Sequence, residues 1–216
     1  MSDTLVVPQL ISIDKHHKKN SIILENVVRM LTNRNLLSES KLESNIEKYT
    51  NIKSDTLTYE IVLDNCPNEK DKVFMVKINL QNITAINKSS GVSDFLYNNQ
   101  NKLNLIVVTG ASKKVTQEVS VRYKKSEIFF EEDLMIDILS NELVPKHELL
   151  SKSEEEEFYE TYNVKKRNIP KILSEEPISK YFNAKPGNIF RIIRPSETTG
   201  FTHYYRLVVK GTFKKK

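Results

Sequence analysis

The sequence predicts a protein of mixed helix and strand: an α/β or α+β unit over residues 1–141, followed over 142–216 by a small α+β module that closes as a β-hairpin. Three observations carry this reading. Ile23, Val27, Met30 and Leu31 fall at i, i+4, i+7 and i+8, the stripe of a helix lying on a core. Leu103 to Val108 (LNLIVV) is a nearly unbroken apolar run, as expected of a strand buried on both faces. Ser151 with Glu154 forms an S-x-x-E capping box ahead of Phe158, Tyr159 and Tyr162, which recur at helical spacing.

In chain order, the first stripe predicts a helix within Lys18 to Leu37. A second helix should start after Ser38 or Ser40, with Leu42, Ile46 and Tyr49 on one face, so that the two form a helical hairpin covering the strands beyond them. Thr56 to Leu63 and Lys72 to Leu80 are β-rich runs separated by Asn65, Pro67, Asn68 and Asp71, which reads as an antiparallel pair. Phe74, Val76, Ile78 and Leu80 share a face by the period of two. Ser93 is expected to cap a short helix through Tyr97, and Leu103 to Val108 to form a central parallel strand. Val115 and Val119 mark the next helix, and Ile128 to Phe130 with Leu134 to Leu139 close the unit.

The module opens at Glu142 to His147, where the residue before Pro145 is pushed out of the helical region and the chain must run extended. After the capped helix, Ser174 to Pro177 starts another, because proline in a first turn loses no hydrogen bond; Ile178, Tyr181 and Phe182 give it an apolar side. Lys185, Pro186 and Gly187 make a turn. Ile189, Phe190, Ile192 and Ile193 are strand-like, and the loop Pro195 to Gly200 returns the chain into Tyr204 to Val209. A module of about 70 residues buries only about 60% of its unfolded surface, which suits it to docking on something larger.

Composition bounds the chemistry. Of 216 residues, 38% are hydrophobic and 28% charged, as in soluble globular chains. The single cysteine, Cys66, excludes an internal disulfide and a cysteine-based zinc site, and suits a reducing compartment. No run of about 18 apolar residues occurs, and a start containing Asp3 and Pro8 does not resemble a secretory signal, so a soluble intracellular protein with no membrane partner is expected. A net charge of +5, from 33 basic and 28 acidic residues, permits a polyanionic neighbour without the footprint of a stand-alone nucleic-acid binder. His16 and His17 among Lys15, Lys18 and Lys19 read as a solvated basic start, Glu154 to Glu157 as an acidic first helical turn, and Lys214 to Lys216 as a solvated tail. Five dispersed glycines form no phosphate-cradling loop, and no Gly-x-Ser-x-Gly occurs. The bias toward Lys, Asn and Ile suggests an A+T-rich coding genome.

Glu142 to His147 (ELVPKH), Ile169-Pro170, Glu176-Pro177, Arg191 to Gly200 (RIIRPSETTG) and Tyr205-Arg206-Leu207 resemble, in order and spacing, the assembly domain of the fifth subunit of nuclear DNA-dependent RNA polymerases, which is similar to the small H subunit of archaeal polymerase. The family's Gln-Leu-Pro-Arg reads Asn168, Ile169, Pro170, Lys171 here, its Asp-Pro reads Glu176-Pro177, and its glycine after the second helix is replaced around Asn183-Ala184. The resemblance implies a non-catalytic polymerase subunit. Its 142–216 module would be an assembly domain docking on the largest subunit, with Pro145, His147, Pro170, Arg194, Ser196, Glu197, Thr198, Tyr205 and Arg206 as candidate docking residues beside other polymerase subunits. Residues 1–141 would be a jaw domain whose fold is similar to metal-dependent nucleases. Thr109 to Lys114 stands where the family carries a short Thr-Pro-Ser-Ala loop, which makes Thr109, Ser112, Lys113 and Lys114 candidate contacts to downstream duplex DNA. Such contact must be sequence-independent, because the enzyme slides over every template. The implied location is the nucleus for a cellular host, or the virion or a cytoplasmic replication site for a large DNA virus. The competing reading is a free-standing DNA-binding protein with a degenerate nuclease-like domain.

Nuclease chemistry would need an Asp and a Glu-x-Lys on the paired strands to hold a divalent metal. Taking Lys77 as the lysine puts Met75 where the glutamate belongs, and a thioether cannot replace a carboxylate for a hard cation. Asp64 alone would be one ligand, more often a turn residue. No catalytic, metal or cofactor site is therefore expected, and His147 and His203 read as structural or docking residues.

Overall fold

The structure, a computed structural model, describes residues 16–52, 57–66, 72–86 and 91–210, and within these the side chains of residues 16–18 are not included. Expectations placed on Asp3, Pro8, Lys15, Thr56, Pro67, Asn68, Asp71, the side chains of His16, His17 and Lys18, and the tail Lys214 to Lys216 lie outside the described residues. The described chain divides into two units, one holding residues up to 135 except 33–35, the other holding 33–35 and 136 onward.

In the first unit, helix α1 (His16–Asn33) buries Ile23, Val27, Met30 and Leu31 completely, so the predicted stripe is its core face. It ends just before Asn35, whose positive φ of 60° is a conformation asparagine tolerates and most residues resist. A 3-10 turn over Glu39–Lys41 precedes α2 (Leu42–Thr50), which buries Tyr49. α2 thus starts after Ser40, as expected, although its N-cap is Lys41 and carries no side-chain capping bond. Ser38 flanks the 3-10 turn without a side-chain capping bond, and its own N–H donates to Asp64 Oδ2 at 3.2 Å.

Strands β1 (Thr58–Val62) and β2 (Val73–Ile83) pair antiparallel, while β2, β3 (Leu103–Ala111) and β4 (Ser126–Phe130) run parallel in the order β1-β2-β3-β4. The parallel steps follow from crossover helices: α3 (Val92–Asn98) joins β2 to β3, and α4 (Lys113–Arg122) joins β3 to β4. Leu105, Ile106, Val107 and Val108 are all fully buried, as a central strand covered on both faces requires. On one of those faces Ile106 and Val108 pack with Met75, Phe95, Leu96, Val115 and Val119.

Four boundaries differ from expectation. Ser93 does not cap α3; Gly91 holds that position in the left-handed region at φ 62°, leaving Ser93 inside the first turn. Both β2 and β3 run three residues past the apolar runs that announced them, because their polar ends still pair at Asn82 with Gly110 and Ile83 with Ala111. Leu134 to Leu139 splits into the end of α5 (Glu131–Leu134) and a 3-10 turn over Ile138–Ser140, where the Asp137 carboxylate accepts from Leu139 N–H at 3.1 Å.

The second unit is built on a sheet ordered β5-β7-β8-β6, from β5 (Lys146–Leu149), β6 (Lys171–Leu173), β7 (Ile189–Ser196) and β8 (Gly200–Val209). β7 runs antiparallel to both β5 and β8, and β6 lies parallel to β8, so this sheet too is mixed. The whole is an α+β chain with two mixed sheets. Helix α6 (Lys152–Tyr162) carries the complete capping box, with Ser151 Oγ accepting from Glu154 N–H and the Glu154 carboxylate accepting from Ser151 N–H at 2.8 Å. Helix α7 (Pro177–Tyr181) has proline in its first turn. Pro195 and Ser196, expected in the loop, belong to β7 and pair with Phe201 and Gly200, leaving only residues 197–199 to turn. Proline fits there because it lies at the last positions of the ladder, where no interior N–H is demanded of it.

The register assigns side chains to the two faces of this sheet. On one, Phe190, Ile192, Val208 and Ile172 form a core with Ala184, flanked by Leu149, Ile178 and Phe182. On the other, Ile189, Leu207, Leu150 and Ile169 pack with Phe158 of α6, flanked by Tyr159 and Tyr205.

Candidate functional site

The nine candidate docking residues separate into four places. The first is the open part of the sheet face that bears Phe190. Register puts His147 of β5 beside Ile192, Tyr204 of β8 on the other side of Ile192, Arg206 beside Phe190, and Arg194 beside Thr202. Three strands thus bring His147, Arg194 and Arg206 to one face although the sequence keeps them far apart. The His147 ring meets Phe190 edge-on at 5.9 Å, and its Nδ1 lies 2.6 Å from the Pro145 carbonyl, an acceptor only, so Nδ1 carries a proton. Burial holds the imidazole below its ordinary pKa; the Pro145 carbonyl opposes this, while Arg206 and Arg194 lower it further. The imidazole is therefore neutral at physiological pH, and the positive charge of this face belongs to the two arginines.

Arg194 lies with its guanidinium carbon 5.2 Å from the centroid of the Tyr204 ring, a cation–π geometry that orders a long side chain. Neither Arg194 nor Arg206 has a carboxylate partner among the described residues. Tyr204 itself, 50% exposed, was not foreseen. The available signal was a large aromatic at an exposed position of a strand between two arginines of the same face.

The second place is the opposite face, where Tyr205 sits. Its ring packs at 4.4 Å on Phe158 and 5.5 Å on Tyr162, under α6. Beside it, Arg191 bonds Glu148 at 2.8 Å and approaches Glu154 at 3.5 Å, while Lys146 bonds Glu148 at 2.9 Å. Arg191, Glu154 and Tyr205 line an open cavity of about 200 Å³ bordered by Glu157, Thr161 and Tyr162. Tyr205 therefore works in the packing of its own module and does not share the surface of Arg206, its chain neighbour.

The third place is the connecting turn and the fourth, at the other end of β8, the approach to β6. Ser196 and Thr198 hydroxyls lie 3.3 Å apart, and Glu197 is exposed with no ion pair among the described residues. Pro170 is exposed, and its carbonyl accepts from Leu207 N–H at 2.8 Å, fixing the start of β6 against β8.

The DNA-contact candidates all lie in the first unit. The loop expected over Thr109 to Lys114 is shorter than foreseen, since Thr109 belongs to β3 and both lysines to α4. Thr109 Oγ1 donates to Glu131 Oε2 at 3.2 Å, and Lys19 neutralises the same carboxylate at 2.9 Å. Ser112 is the helix cap: its Oγ accepts from Val115 N–H at 3.4 Å and donates to the Thr84 carbonyl at 3.0 Å. Lys113 and Lys114 are exposed in the first turn of α4, without an ion pair among the described residues. Two exposed ammonium groups at the positive end of a helix make an anion-favouring corner.

The residues weighed for metal have other roles. Asp64 accepts from Ser38 N–H and Lys41 Nζ, bonds that hold its carboxyl below the ordinary range. Met75 is core, and the Lys77 ammonium lies over the Phe95 ring at 5.9 Å. Among the described residues no cluster of three metal-ligating side chains occurs.

Residues 136–208 match the family model described as RNA polymerase Rpb5, C-terminal domain. Over 201 residues the chain is 35% identical to DNA-directed RNA polymerase subunit 5 of Acanthamoeba polyphaga mimivirus, a match covering 88% of this chain and 92% of that protein. It is 30% identical over 192 residues to the DNA-directed RNA polymerases I, II, and III subunit rpabc1 of Dictyostelium discoideum, covering 87% and 95% respectively. With DNA-directed RNA polymerase subunit Rpo5 of Archaeoglobus fulgidus it shares 51% identity over 67 residues, 31% of this chain and 88% of that one.

Proposed function

Because the chain belongs to the fifth-subunit family of DNA-directed RNA polymerases, we propose that it is a non-catalytic subunit whose 142–216 module docks on the largest subunit while residues 1–141 act as a jaw on downstream duplex DNA. Its partners are then the other subunits of a multisubunit polymerase, and its process is transcription. The observation that carries the docking half is the gathering of His147, Arg194 and Arg206 from three strands onto one open face next to the Ser196 to Thr198 turn.

For the DNA half the support is electrostatic. Lys113 and Lys114 stand exposed on the first turn of α4, without an ion pair among the described residues, and can meet phosphates without reading bases. With relatives in a giant virus and in cellular eukaryotes, the location follows the host: the nucleus in a cell, or the virion or a cytoplasmic replication site for a virus.

Co-purification tests the proposal against a free-standing DNA-binding protein. Tagged full-length chain should recover both large polymerase subunits in stoichiometric amount. Recovery as a monomer that binds duplex DNA tightly by itself would replace this reading with the other. Residues 142–216 expressed without the jaw should still join the polymerase, and incorporation of the jaw alone would reverse the division of labour.

A further inference from the structure

The two sheet faces of the second unit treat arginine differently. Arg191, on the face under α6, is held by the carboxylates of Glu148 and Glu154. Arg194 and Arg206 have no carboxylate partner among the described residues, although Arg194 is already ordered by the Tyr204 ring. A guanidinium can stand unpaired in water. It cannot be covered by a partner without an acceptor, because an uncompensated buried charge is strongly destabilising.

Resting on the docking reading above, we infer that the surface covering this face is an acidic protein segment, supplying at least two carboxylates: one for Arg206 beside Phe190, the other for Arg194 beyond Tyr204. The register sets their spacing. Arg206 lies level with Phe190, and Arg194 is four residues further along β7, so the two guanidinium roots are separated by about 13 Å along the strands. Between them Tyr204, half exposed and with Arg194 over its ring, adds an aromatic surface. His147, beside Ile192, adds no charge and leaves a neutral edge that a carboxylate pair can straddle. Charge complementarity and the aromatic surface together fit a polypeptide carrying acidic and apolar side chains better than a phosphate backbone, which has nothing to place on the ring.

The test measures binding of the full-length chain to the polymerase largest subunit at stepped sodium chloride, comparing wild type with the double variants R194Q/R206Q and R194K/R206K. The glutamine pair should weaken binding by about thirtyfold or more and flatten the salt dependence. The lysine pair, which keeps both charges but loses the planar fork, should fall between the glutamine pair and wild type. Equal melting temperatures of the free proteins would show that the weaker binding is not misfolding. If a melting temperature does fall, the salt dependence of the lysine pair carries the test, because it keeps the charge. Wild-type affinity in the glutamine pair overturns the inference and leaves docking intact. Failure of wild type itself to bind overturns the docking reading. Displacement of wild type by a short duplex DNA, but not by a hexaglutamate peptide, would make this a phosphate surface and overturn the choice of an acidic segment.

Discussion

Glu148 sits between Lys146 and Arg191, with nitrogen to oxygen distances of 2.9 and 2.8 Å, and these bonds, Lys146 first, hold its carboxyl below the ordinary range of about 4.5. A carboxyl whose folded pKa is depressed contributes stability that is fully present above its unfolded pKa and is lost as pH falls through the folded one. Comparing wild type with Glu148→Gln by urea unfolding from pH 7 to pH 3 should show a difference of up to about 1 kcal/mol at neutrality, since the pair is partly exposed. That difference should shrink through the acid limb. A difference independent of pH would mean that packing, not charge, is at stake. This network was hidden from the sequence because Arg191 finds Glu148 at a separation of 43 residues, through pairing of β5 with β7. The capping box was legible because both of its bonds are local.

At the scale of elements, legibility followed the length and periodicity of the apolar signal. Helices α1 and α6 and strand β3 were readable because each buries four or more side chains or carries its own cap. Strand β6 was not: only Lys171, Ile172 and Leu173 pair, and they do so with β8, which arrives 36 positions later at Leu207. The cap of α3 was misassigned to Ser93 because serine is the common capping type, whereas a left-handed Gly91 achieves the same reversal through its backbone. That choice has a measurable consequence. A methyl group on residue 91 would meet nothing closer than Lys77 Nζ at 3.9 Å, so Gly91→Ala is penalised only by its φ of 62°. It should cost about 1–2 kcal/mol in urea unfolding, and Gly91→Asn less, because asparagine visits that region more readily. An unchanged midpoint in the alanine variant would show that this turn readily adopts another conformation.

For the whole molecule, the sequence disclosed function through the resemblance of 142–216 and disclosed architecture through hydrophobic pattern, and the two meet at the surfaces. Lys113 and Lys114 are where this can be tested most cleanly. Replacing both with Glu reverses the local field, yet acidic residues in the first turn of a helix are favoured by its dipole, and Ser112 still caps α4. The variant should therefore fold and assemble like wild type. If the lysines neutralise phosphates of downstream DNA, the polymerase carrying the variant should bind a downstream duplex less tightly. The slope of log K against log salt should fall by about one unit for each phosphate no longer neutralised. The weakening should be the same on every template, because phosphates carry no sequence. A sequence-dependent effect would imply base readout, and an unchanged slope would make the pair an ordinary solvated surface. The assembled enzyme is the right specimen, because one or two phosphate contacts register only when the rest of the polymerase holds the duplex in place.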